Sequence, residues 1–179
     1  MKNLTTLAIV AAATVAPHAV HAADEPMKPS GAIEAVMPNS DKAFFENAAS
    51  ANQFEIAASK LALTRSSDPD IKAFAQKMIT DHGEAGTKLE ALAARKNVTL
   101  PTTMARRHQH LYDALENDKA GKDFDEDYKN KMVMSHKEAV SLFDQTSKKG
   151  QDPDVKSFAA MLLPTLQMHG SAAQALNRK

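Results

Sequence analysis

The sequence predicts an all-α protein, a four-helix bundle, and three observations carry that prediction. Apolar side chains recur at steps of three and four along four long segments, the spacing that puts one residue per turn on a single helix face. Strong helix formers are plentiful across the 179 residues while glycine is held to 6. An Asp-Pro pair suited to starting a helix occurs twice, at Asp68-Pro69 and at Asp152-Pro153. In each pair the Asp can cap the helix and the Pro fits the first helical position.

Residues 1–22 stand apart from this pattern. Lys2 precedes an apolar stretch from Leu4 to Ala16, Pro17 breaks it, and Val20-His21-Ala22 offers small or aliphatic residues to a signal peptidase. A signal peptide is expected, cleaved after Ala22 or Ala23, with the mature chain in the periplasm. The apolar run is shorter than the roughly 20 residues that span a bilayer, and no second run follows, so no integral membrane segment is expected after cleavage. Residues 23–40, with Pro26, Pro29, Gly31 and Pro38, read as a flexible linker.

The bundle is expected over residues 41–178. Ser40 or Asp41 caps a first helix that reaches about Arg65. The second starts at Pro69, carries Ile71, Phe74, Met78, His82, Ala85, Leu89 and Leu92 on one stripe, and ends near Asn97. A long connection follows, with a short helix expected over Thr103 to Asn117. The third long helix runs from Asp123 to Lys149 with Phe124, Tyr128, Met132, His136, Ala139 and Phe143 on one face, and Gly150 ends it. The fourth begins after Asp152 and aligns Val155, Phe158, Leu162, Leu166, His169, Ala173 and Leu176. Pro164 inside it should kink the helix and free the carbonyl of Ala160.

The two halves repeat one another: Asp68-Pro69-Asp70-Ile71-Lys72-Ala73-Phe74-Ala75 matches Asp152-Pro153-Asp154-Val155-Lys156-Ser157-Phe158-Ala159. Two helical hairpins are therefore expected. The connection between them is long enough to cross the length of the bundle, which is the ferritin-like topology; a simple up-down-up-down bundle is the competing arrangement.

Composition removes several function classes. Lys plus Arg and Asp plus Glu both number 22, a balance that argues against a nucleic-acid partner, which needs a basic surface. Tryptophan is absent and aromatic content is 5%, which argues against base stacking. The chain has no cysteine and hence no thiolate chemistry. It carries no phosphate loop, nucleophile elbow or His-Glu-x-x-His motif, and no reaction can be read from it. An envelope protein partner or a homo-oligomer is compatible with this surface.

One constellation does carry chemistry. Glu55 lies on the first helix's stripe of Phe44, Ala48, Ala51, Ala58 and Ala62, where a charge is costly unless paired or bound to metal. His82, His136 and His169 hold the matching place on the other three helices. Counting from the hairpin tips, all four fall near mid-bundle, roughly 18–23 Å in for Glu55 and His82. One such residue per helix at one level can close around an ion, and imidazole favours zinc, copper or iron over magnesium or calcium. Met78, Met132 and Met168 beside these histidines would suit copper, although methionine at helical spacing is also ordinary core filler. The structural alternative has Glu55 accepting from two imidazoles and Asp81 orienting a third. In that case the carboxylate should hold a histidine protonated and raise its pKa. No Glu-x-x-His pair occurs, since Ile79, Val133 and Leu166 stand three residues before the histidines, and this argues against di-iron oxygen chemistry. His108 and His110, two apart, cannot chelate together and are expected on a solvated helix.

The runs Phe74-Ala75-Gln76-Lys77-Met78-Ile79-Thr80-Asp81-His82, Phe124-Asp125-Glu126-Asp127-Tyr128 and Leu163-Pro164-Thr165-Leu166-Gln167-Met168-His169 resemble the bacterial exported proteins grouped as domain of unknown function 4142. The resemblance spans about Lys42 to Leu176. It implies a ferritin-like bundle in the bacterial envelope and supplies no reaction. It places recurrent family positions on Asp81, His82, His136, Pro164 and His169, and its middle motif ends on Tyr128.

Overall fold

The computed structural model describes residues 39–178, so the expected signal peptide and most of the expected linker lie outside the described residues. Five helices follow in order: α1 (Asn39–Arg65), α2 (Pro69–Arg95), α3 (Arg106–Asn117), α4 (Lys122–Lys149) and α5 (Pro153–Asn177). Among the described residues there is no strand, and no helix is long and apolar enough to cross a membrane.

Both Asp-Pro starts work as their chemistry dictates. Asp68 accepts from the backbone N–H groups of Asp70 (2.7 Å) and Ile71 (3.2 Å). Asp152 accepts from those of Asp154 (2.9 Å) and Val155 (3.2 Å). Each carboxylate thus takes up donors that a helix start leaves without partners.

Asp41 behaves differently from expectation. The helix begins ahead of it, at Asn39, and Asp41 is buried within the first turn. Its carboxylate accepts instead from the backbone N–H groups of Gln151 (3.1 Å) and Asp152 (2.8 Å), pinning the α4–α5 tip to the start of α1. Helix α3 starts three residues later than the sequence suggests. The cause is tertiary: Ala105 N–H donates to Ser50 on α1 (2.7 Å), which holds Ala105 extended at φ −60°, ψ 149°. Helix α5 runs through Pro164 without interruption, and both Pro164 and Ala160 are exposed.

Interhelical pairs give the directions. Phe44 meets Phe143 and Ser59 meets Tyr128, so α1 and α4 run antiparallel. Lys96 meets Asp152 while Asp81 meets His169, so α2 and α5 run antiparallel too. It follows that α2 and α4 point the same way, and the connection through α3 travels from one end of the bundle to the other. Its far end is fixed by Gly121, whose φ of 98° suits glycine and whose N–H donates to the Arg65 carbonyl at 3.2 Å. A simple alternation of four helices would not place α1 antiparallel to α4.

The core has two apolar clusters. One gathers Phe44, Phe45, Leu89, Leu92, Phe143, Val155 and Phe158. The other gathers Phe54, Ile71, Phe74, Met78, Phe124, Tyr128 and Met132. Burying each large side chain is worth about 1.5–3 kcal/mol, so both ends of the bundle are held firmly. Between them, at the level of Glu55, the inward positions are polar.

Candidate metal centre

The helical stripes bring His82, His136 and His169 together. Their ring centroids form a nearly equilateral triangle of 5.7, 5.3 and 5.5 Å. The residues are 4%, 0% and 1% exposed. One nitrogen from each ring lies within 4.8 Å of the other two.

What each ring does with its two nitrogens matters most. His136 Nδ1 donates to the Met132 carbonyl at 2.9 Å, one turn back on the same helix. A carbonyl only accepts, so the proton sits on Nδ1 and Nε2 keeps its lone pair. His82 Nδ1 faces Glu55 Oε2 and Asn52 Oδ1, each at 3.1 Å. His169 is turned the other way, with Nε2 donating to Asp81 Oδ2 at 2.7 Å. The remaining nitrogens, His82 Nε2, His136 Nε2 and His169 Nδ1, are buried without a protein partner; among the described residues only two other buried side-chain atoms, Asp118 Oδ2 and Asp125 Oδ1, share that condition. Each ring thus has one nitrogen tied by a neighbour and one left without a protein partner.

Glu55 stands behind this triangle. It is 1% exposed, accepts from the Ser135 hydroxyl at 2.6 Å, and its Oε1 lies 3.5 Å from His136 Nδ1. Its oxygens therefore meet the tied nitrogens of two rings. Burial pushes its carboxyl pKa up, but the fields of His136 and His82 and the Ser135 hydrogen bond outweigh burial and leave it below its ordinary value. Burial holds His82 below its usual value despite Glu55. Burial likewise pulls His169 down to about 4 against the opposing pull of Asp81. Desolvation thus outweighs the carboxylates, which corrects the expectation of a histidine with a raised pKa. Burial thus disfavours the protonated forms of His82 and His169, and an unprotonated ring keeps a lone pair on one nitrogen.

The other expected residues are placed as follows. Asp81 orients His169 and also accepts from Lys77 Nζ at 2.7 Å. Burial raises its carboxyl pKa, but the hydrogen bonds from Lys77 and His169 leave it low. Tyr128 is fully buried in the neighbouring apolar cluster, its hydroxyl 3.0 Å from Ser59 Oγ. Pro164 is on the exposed side of α5. Met78 and Met132 are buried core residues, whereas Met168 is 49% exposed. His108 is not solvated: it is buried, 2.7 Å from Ser50 Oγ and stacked on Phe54 at 5.9 Å.

Sequence reasoning missed Ser135, Asn52 and the Met132 carbonyl. Ser135 precedes His136 and carries no periodic signal. Its role depends on how α4 is rotated against α1. Gly86 is a related case, because a Cβ there would lie 2.8 Å from Asn52 Nδ2.

The family described as Domain of unknown function (DUF4142) matches residues 26–176. No curated protein matches the chain. Among solved structures, a DUF305 fragment from Deinococcus radiodurans is similar at TM-score 0.68 and 14% identity, covering 80% of this chain and 99% of that one. CopM in its Cu(II)-bound form is similar at TM-score 0.64 and 17% identity, covering 77% of this chain and 95% of that one. A putative spore coat protein from Bacillus halodurans gives TM-score 0.62 at 16% identity, covering 79% and 88%. At these identities the likeness is one of fold: an all-helical bundle.

Proposed function

The chain belongs to the DUF4142 family, and from that premise we propose that it is an exported bundle that binds one transition-metal ion at His82, His136 and His169. The observation that carries this reading is the set of three buried, unpartnered imidazole nitrogens, each on a ring fixed from behind by a carboxylate or carbonyl. That is how metal-binding histidines are oriented in general. One nitrogen from each ring already lies within 4.8 Å of the other two, the neighbourhood in which three imidazoles could share one ion. Glu55 and Asp81 supply the negative charge that a buried cation requires. Imidazole ligands suit zinc, copper and iron. Copper is placed first, since CopM has the same fold and was solved with Cu(II) and with Cu(I). Residues 1–22 direct the chain to the periplasm; N-terminal sequencing of the envelope-associated protein should begin near Ala23, and an intact Met1 would refute export.

Elemental analysis of protein purified without a histidine tag, before and after exposure to copper and zinc, tests the site. One equivalent of metal is expected. Glu55→Gln should retain binding at an affinity lowered about ten- to hundredfold, because the residue orients His82 rather than holding the ion. Protein that refuses copper, zinc and iron alike would instead make the triad a structural polar layer.

A further inference from the structure

The triad is sealed, so an ion needs a route to it. Two clefts and one helix seam approach the polar layer. One, of about 320 Å³, lies between α1, α3 and α4 and is lined by Ser135 and Glu138. A second, of about 310 Å³, lies between α1 and α2 and is lined by Asn52 and Glu90. The third approach is the seam between α2 and α5. Of the groups that tie the rings, Glu55 and Met132 are buried, whereas Asn52 and Asp81 reach solvent. Asp81 alone of those two is charged, and its side chain is 23% exposed.

We propose that metal enters and leaves the triad through the α2–α5 seam, with Asp81 as the capture ligand and the thioethers of Met161 and Met168 at its mouth. This rests on the metal-binding reading above. Asp81 is built for the role. His169 Nε2 and Lys77 Nζ both donate to its Oδ2, each at 2.7 Å, which leaves Oδ1 for an incoming cation. Lys77, 50% exposed, is a competitor that the ion must displace. An ion that draws Asp81 away also releases His169, the one ring tied through Nε2, and so loosens the triad from this side.

The methionines give the seam its chemical preference. Ala172 and Leu176 of α5 line a groove with Asp70 and Phe74 of α2, which marks the flank of α5 that faces α2. Steps of four and three back along the helix carry that flank through Met168 and Thr165 to Met161. Met161 and Met168 are 54% and 49% exposed, and they are the exposed large hydrophobic side chains among the described residues. Thioether sulfur prefers soft ions such as Cu(I) and Ag(I), and carboxylate attracts any cation.

Stopped-flow uptake of Ag(I), which needs no redox control, and of Zn(II) tests this on the full mature chain. Asp81→Asn should slow uptake of both ions about tenfold, an effect that shrinks with salt. Lys77→Gln should speed uptake of both. Met161→Leu combined with Met168→Leu should slow Ag(I) severalfold and leave Zn(II) unchanged. Glu90→Gln and Glu138→Gln, at the two clefts, should leave both rates as they were. Stoichiometric binding with native rates in the Asp81 and methionine variants, or slowing by Glu90→Gln or Glu138→Gln instead, would overturn the port while leaving the site intact. A native chain that takes up neither ion at equilibrium would remove the site, and the port with it.

Discussion

His108 and the mid-bundle triad are both buried histidines on helical faces, yet they differ in what their nitrogens meet. His108 lies against Ser50, whose oxygen also takes the Ala105 N–H, and its ring stacks on Phe54. It ties the crossover to α1, and that is a structural job. His82, His136 and His169 each spend one nitrogen on a neighbouring group and keep the other buried without a protein partner, on rings packed against one another. A buried polar atom without a partner costs about 1–3 kcal/mol. Three together, each with its opposite nitrogen fixed, are costly for packing alone. The distinction between the two kinds of histidine therefore lies in the destination of the second nitrogen, not in burial.

Deleting one histidine of each kind separates the two roles. His136→Ala removes a ligand and should weaken metal binding more than about a hundredfold, beyond the loss expected for an orienting group. His108→Ala should leave affinity within about twofold and instead cost roughly 1–3 kcal/mol of stability through the lost packing and hydrogen bond. Calorimetric titration and urea unfolding on both variants decide the matter. Equal loss of metal in the two would erase the distinction.

A smaller effect separates the metal-free triad from an ordinary surface. His82 and His169 are held below their usual value of 6.5, His169 at about 4, chiefly by burial. The unfolded chain protonates His169 near 6.5, whereas the folded chain refuses that proton until about 4, and His82 shifts in the same direction. Stability is therefore fully present above 6.5 and is lost as pH falls toward 4. His169→Ala should flatten the dependence of the urea midpoint on pH across that window. A midpoint that instead rises as pH falls would mean that the carboxylates, not burial, govern the rings.

The sequence carried the parts of this arrangement that depend on period. Steps of three and four on α2, α4 and α5 put the three histidines inward. Counting from the Asp-Pro starts put them at one depth, because rise per residue is fixed in a helix. The place of Glu55 among the imidazoles was legible for the same reason, and Asp81 was expected to orient one ring, but that this ring is His169, across the α2–α5 seam, was not legible. What could not be read is rotation of one helix against another. Ser135 finds Glu55 across 80 residues, and Ser50 finds His108 across 58. Neither pair has a local signature, so His108 looked like a solvated residue. Asp41 was misassigned on similar grounds: a local cap was expected, but the backbone it serves is more than a hundred residues away.

The smallest expected effect uses the sequence repeat as a control for the triad. Asp68 and Asp152 make the same two cap hydrogen bonds, so replacing either by Ala should cost about 1 kcal/mol. The copies are not equivalent, however. Asp152 also pairs with Lys96 at 2.8 Å, and Lys96 reaches Asp154 at 2.6 Å, joining the end of α2 to the start of α5. That partly exposed bridge adds roughly 0.2–1 kcal/mol and fades in salt. Asp152→Ala should therefore be the more destabilising of the two at low ionic strength, with the gap closing at about 1 M salt. Both caps lie roughly 20–25 Å along their helices from the triad, so neither variant should change metal affinity. A cap variant that lost metal would show that the histidine layer depends on the whole hairpin being held, and the local account of the site would have to give way to a global one.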